Sequence, residues 1–226
     1  MHLPLRMSRA IMNINGLDAV LQKDYEVNIG KYFGKGWEVL KPSFGQMIGF
    51  FLVTFLINLA LAFIPILGQI ASILINAPLA AGYTFVVLAN LRGQSFVFND
   101  FFKGLTNKYF LQLFLISLIG GLFIALGFLL LLIPGLYLSV AYTFAIQFAV
   151  DWDLGFFEAL ETSRKFVTKQ WFQVFLLLLV IGLMNILGAL LLGVGLFVTA
   201  PLSICIIVSA YDDLAGNKAN GAIREI

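Results

Sequence analysis

The sequence predicts an all-α integral membrane protein: six transmembrane helices forming three helical hairpins, each preceded by an amphipathic interfacial helix. Three observations predict it. First, of 226 residues 61% are hydrophobic and 12% charged, against about 25% charged in a soluble domain, so lipid is the solvent for most of this chain. Second, the 26 formal charges fall only in 1–41, 92–108, 151–169 and 212–226, leaving charge-free runs over 42–91, 109–150 and 170–211 of 50, 42 and 42 residues. About 20 apolar residues at 1.5 Å each cross the roughly 30 Å of hydrocarbon, so each run is two helices long. Third, each run has a breaker near its midpoint: Pro65 with Gly68, Pro134-Gly135, and Gly193 with Gly195. Pro and Gly occur inside membrane helices too, but a breaker halfway along a double-length run reads as a turn.

The spans fall at roughly 43–64, 66–90, 109–132, 135–151, 171–192 and 195–211. The fourth and sixth are short, which suits tilt, local thinning or a partly re-entrant path. The chain divides into an N-terminal tail (1–27), three units (28–95, 96–154 and 155–216) and a C-terminal tail (217–226).

Each unit opens on a stripe spaced i, i+4, i+7, i+11, which puts its members on one side of an α-helix. The first stripe is Phe33, Trp37, Leu40 and Phe44; the second is Phe98, Phe102, Leu105 and Tyr109. The third is Phe156, Leu160, Val167 and Trp171, with Ser163 at the missing position and Glu158, Glu161, Lys165 and Lys169 opposite. Helices with an apolar aromatic side and a Lys-bearing side lie in the membrane interface; the competing reading is a stripe packed on a neighbouring helix. Units one and three match without a gap at an offset of 123: Glu38 on Glu161, Ala77-Pro78-Leu79 on Ala200-Pro201-Leu202, and Gly93 on Gly216. The second unit is related more loosely, Tyr142-Thr143-Phe144 echoing Tyr83-Thr84-Phe85. Two spans per unit give successive units the same orientation, a parallel, pseudo-threefold repeat.

The hairpin tips carry no charge, so every charged segment belongs on one side. Segments 1–41, 92–108 and 151–169 hold twelve of the fourteen Lys and Arg, and the positive-inside rule makes that side the cytoplasm. The expected placement is therefore multi-pass, with both termini cytoplasmic. Residues 1–30 contain no apolar core of signal-peptide length, so no cleavable leader is expected.

The strings GWEVLK, NAPLAAGYTF, FNDFFKG and LGFFEALETSRKFVTKQWF resemble bacterial multi-pass inner-membrane proteins related to the membrane domain of some glycerophosphoryl diester phosphodiesterases, over roughly residues 28–216. In those enzymes catalysis belongs to a separate metal-binding barrel, and no counterpart is expected in the 41 residues before the first hairpin or the 15 after the last. The resemblance implies a module of the bacterial inner (plasma) membrane that handles or senses lipid, and no catalytic residue carries over.

Proton relays and ion sites need ionisable groups within the membrane, and the spans have none, which argues against a proton-coupled transporter. His2 lies in the N-terminal tail, too far out to ligate a haem or complete a Ser-His-Asp triad. One His and one Cys give no metal site built on those residues, Cys205 reads as packing, and Gly30, Gly34 and Gly36 follow no strand and make no dinucleotide fingerprint. Neither an enzyme nor a cofactor is expected, and a net charge of +2 is too small to suggest nucleic acid. The polar residues Asn58, Gln69, Asn76, Gln147 and Asn185 could line a path or bond between helices, the latter being worth about 0.6 kcal/mol each. The leading expectation is a scaffold, assembly factor or accessory subunit that contacts membrane lipids and other membrane-protein subunits. The alternative is a transporter, channel or scramblase for neutral or amphipathic molecules.

Overall fold

The computed structural model describes residues 16–191 and 193–217; His2 and most of both tails lie outside the described residues. These residues are helical and contain no strand. A short helical segment over 16–22 precedes α1 (Ile29–Leu40), which runs through a 3-10 turn into α2 (Phe44–Ala62). Then come α3 (Leu67–Leu91), a 3-10 helix (Phe98–Leu105), α4 (Phe110–Leu130), α5 (Leu132–Ala141), α6 (Ala145–Asp151), α7 (Phe156–Thr168), α8 (Trp171–Leu190) and α9 (Leu196–Ala215). Six stretches are long and apolar enough to cross a membrane: Ile29–Ala62, Leu67–Leu91, Phe110–Leu130, Leu132–Asp151, Trp171–Leu190 and Leu196–Ala215.

The long helices meet in consecutive pairs, α2 on α3, α4 on α5 and α8 on α9. The turns fall at 63–66, at Leu131, and at 191 and 193–195. The first and last lie on the predicted breakers, and Gly193 takes the positive φ (76°) that glycine adopts without a Cβ penalty. The middle one corrects the expectation: the break is Leu131 (φ −157°, ψ 141°), three residues ahead of Pro134. Pro134 instead sits in the first turn of α5, where N–H groups have no intrahelical partner and a proline displaces no bond.

The fourth stretch is not one helix. It breaks at Tyr142-Thr143-Phe144 into α5 and α6, although the echoing Tyr83-Thr84-Phe85 lies inside the unbroken α3. Ser163 of α7 bridges the break: its Oγ donates to the Ala141 carbonyl (2.7 Å) and accepts from the Phe144 N–H (3.2 Å).

The second pre-hairpin segment is a 3-10 helix rather than an α-helix. Three residues per turn align Phe98, Phe101 and Gly104, and Phe101 is fully buried, stacked on Phe50 at 4.5 Å. The segment sits directly on the α3 backbone: a Cβ on Gly82 would collide with the Phe101 carbonyl, and one on Gly104 with the Pro78 carbonyl. Only glycines allow this approach.

Packing is concentrated toward one end. The buried part of α3 is mainly Ala77–Ala89, that of α9 starts at Pro201, and nearly all of α6 is buried. Away from that end the helices expose Phe63, Ile66, Leu67, Leu129 to Ile133, Leu190, Leu191 and Val194. Segment 23–27, expected as part of a tail, packs onto the bundle: Tyr25 stacks on Phe166 at 4.4 Å and donates to its carbonyl (2.8 Å).

Candidate functional site

At the packed end three charged residues from three different helix ends converge. Arg92 follows α3, Asp151 closes α6, and Asp212 lies in the last turn of α9. Arg92 Nη1 and Nη2 donate to the two carboxylate oxygens of Asp151 at 2.7 and 2.9 Å, a bidentate pair. Its Nε and Nη2 also donate to Asp212 Oδ1 at 3.1 and 2.8 Å. The Asp151 side chain is 1% exposed and that of Arg92 11%. Tyr211 OH (3.2 Å) and the Asn217 N–H (2.7 Å) donate to Asp151 Oδ2, so the buried carboxylate is fully served. Burial works against the Arg92 charge, but the hydrogen bonds and charges of Asp151 and Asp212 outweigh it and raise the guanidinium pKa.

Around this hub the other charged segments pair with one another. Lys31 and Lys35 of α1 reach Asp213 at 2.7 and 3.7 Å, Lys108 reaches Asp153 at 3.6 Å, and Lys169 Nζ donates to the Lys23 carbonyl at 3.3 Å. The four charged stretches thus meet at one end of the bundle. On α7, the Arg164 guanidinium donates to both Glu161 oxygens (2.7 and 2.8 Å), which is the main reason the Glu161 pKa falls below its ordinary range.

The predicted interfacial residues divide three ways. Trp37, Phe44, Phe98 and Leu105 are exposed, with Lys41 Nζ 5.7 Å from the Trp37 ring. Phe33, Phe102, Phe156 and Trp171 are half-buried against the core. Leu40, Tyr109, Leu160 and Val167 are buried inside the protein and do not face lipid, which corrects the expectation for these four. The reason is that α1 and α7 each touch the bundle along a second, adjacent face. For α1 that face holds Tyr32, Gly36, Val39 and Leu40, and Gly36 lets Ile206 of α9 come close.

The predicted polar residues do not converge. Asn58 Nδ2 donates to Asn76 Oδ1 (3.1 Å), joining α2 to α3. Asn185 Nδ2 donates to Ser203 Oγ (2.7 Å), joining α8 to α9. Gln69 is exposed near the first tip, and Gln147 is buried in α6 with its Oε1 unpaired. A groove of about 560 Å³ between α8 and α9 is apolar, walled by Leu183, Leu187, Gly188, Leu191, Val198 and Thr199.

Two working groups escaped the sequence reading. Ser163 was visible as the polar gap in an apolar stripe. The hub was visible as position: Arg92, Asp151 and Asp212 are the first charged residues after each charge-free run, and their signs are complementary. No family model, curated protein or solved structure matches the chain.

Proposed function

We propose that this protein is a non-enzymatic membrane scaffold or accessory subunit, embedded in a bacterial inner membrane with both termini on the cytoplasmic side. Three hairpins in a parallel repeat form its body, and an aromatic and basic collar at the charged end meets lipid headgroups or a partner subunit. The observation that carries this reading is how the polar groups are used. The Arg92 hub ties three helix ends together, and Asn58 and Asn185 each close a bond within one helix pair, so the groups a permeation path would need are engaged in holding helices.

What supports a repeat is a match of positions beyond the 123 offset. The starts of α2 and α8 (Phe44, Trp171), the turn residues Ile66 and Gly193 with positive φ, and the two bonded pairs, each 18 residues apart, all match at an offset of 127. The extra four residues are close to one 3.6-residue turn. A shift of about one turn preserves the facing of the side chains along the helices.

One observation favours the alternative, a conduit for neutral or amphipathic molecules: Asn185 Oδ1 and Thr199 Oγ1 are buried without partners, and Thr199 borders the apolar groove. Flux of a fluorescent lipid and of small neutral solutes in proteoliposomes decides between the two. The scaffold reading expects no specific flux from the wild type or from the double variant Asn58→Leu, Asn185→Leu, with the variant folded. Robust wild-type flux abolished by the double change would overturn it.

A further inference from the structure

We propose that the hairpin of α4 and α5 is re-entrant: it dips into the acyl chains of the leaflet on the charged side and returns without reaching the opposite surface. The proposal rests on the membrane reading above and concerns the partner of this element, one leaflet of lipid.

It follows from where α7 lies. This helix carries Glu158, Glu161, Arg164 and Lys165, with Lys169 just beyond, and it runs antiparallel to α5. Leu160 lies against Gly120 of α4, Ser163 bridges Ala141 and Phe144, and Thr168 Oγ1 is 2.7 Å from Tyr137 OH. Next, Trp171 Nε1 donates to the Tyr137 carbonyl at 3.1 Å, the two rings stacked at 6.4 Å. The ionised side chains of α7 belong at the headgroups, because charge within hydrocarbon is strongly disfavoured. Tyr137, in contact with Thr168 and Trp171, must share that level, and Tyr and Trp are the residues that favour it.

From Tyr137 to the turn at Leu131 is only six residues, about 9 Å of helix against about 30 Å of hydrocarbon. The hairpin is too short from that level to cross. An upright α4 would carry the α7 charges into the membrane, so the hairpin leans, and its packing fits this. Tyr109 and Leu113 are buried beside α3, whereas Leu122, Leu126, Phe128 and Leu129 are exposed. The break at 142–144 lets α5 depart from the direction of α6, which stays with the hub.

The tip suits hydrocarbon. Leu129 to Ile133 are five consecutive apolar residues, each at least 68% exposed. The turn is a single residue whose N–H is bonded to the Gly127 carbonyl (3.0 Å), and Pro134 removes one of the bare donors of the next turn. Backbone without partners is what excludes loops from lipid, and a one-residue turn confines the bare groups to the two helix ends. The helices α2, α3 and α8 themselves carry no Asp, Glu, Lys or Arg, so the other two hairpins are free to cross.

The test uses the full chain with Cys205→Ser, in membrane vesicles of one orientation. Single cysteines replace Leu131, Leu67 or Val194 and carry a fluorophore, and nitroxide-labelled lipids are loaded into one leaflet at a time. The expected result is that the label at 131 loses most of its emission to lipids of the charged-side leaflet, while those at 67 and 194 lose theirs to the opposite leaflet. Quenching of the label at 131 chiefly from the opposite leaflet would overturn the proposal. If all three labels respond to the charged-side leaflet, the re-entrant hairpin stands and the spanning of the other two falls. Labels quenched by neither leaflet and open to water-soluble quenchers would sink the membrane reading and this proposal with it. Ile133→Cys repeats the measurement should Leu131→Cys fail to assemble.

Discussion

Arg92 satisfies two carboxylates that lie 59 and 120 residues away in sequence. Its removal is costly for a specific reason: Asp151, 1% exposed, would be left buried without its main counter-ion. Arg92→Met is therefore expected to destabilise the protein by about 3–5 kcal/mol, the range for breaking a buried ion pair from one side. The unfolding midpoint in detergent reads this out. Asn58→Leu, by contrast, gives up an interhelical bond worth about 0.6 kcal/mol, and a comparable loss in both variants would refute the assignment of Arg92 as the hub. The three charges were legible as the residues that end the three apolar runs, but their pairing was not, because partners so far apart meet only when the returning helix ends come together.

At the scale of elements, helical period alone located α1 and α7 but not their surroundings. A stripe at i, i+4, i+7 reports one face of a helix, and both helices contact the bundle along a neighbouring face as well, which is why Leu160 and Val167 are core residues while Trp37 is exposed. The second segment misled for a different reason: its aromatic pattern fits both 3.6 and three residues per turn, and the contact of Gly104 with α3 selects the tighter winding. Ser163 links sequence anomaly to structural task most directly. Ser163→Ala leaves the Ala141 carbonyl and the Phe144 N–H without the hydroxyl that serves both, an expected loss of about 1–3 kcal/mol for buried unsatisfied groups. Hydrogen exchange should show it as faster opening around 141–145, with the ends of α4 unaffected; an unchanged rate there would mean that the break needs no bridge.

At the scale of the whole molecule, the six apolar stretches were readable from composition and charge spacing, since both depend only on the chemistry of lipid. The uneven packing was not. It is dense around the hub, where ion pairs and stacked rings from all three hairpins interlock, and open toward the tips, where Leu, Phe and Ile side chains remain for lipid to cover. In the proposed reading such a body holds its form at one membrane surface and directs only apolar tips away from it, an arrangement suited to positioning partners rather than passing solutes. The central claim is that every charged segment lies on one side. A cysteine scan in the Cys205→Ser background, using a membrane-impermeant thiol reagent on intact cells and on inverted vesicles, tests it most directly. Cysteines at Thr106 in segment 92–108 and at Lys165 in segment 151–169 should label only from the cytoplasmic side, as should cysteines placed in either terminal segment. Labelling of position 106 from outside intact cells would contradict the three-hairpin account.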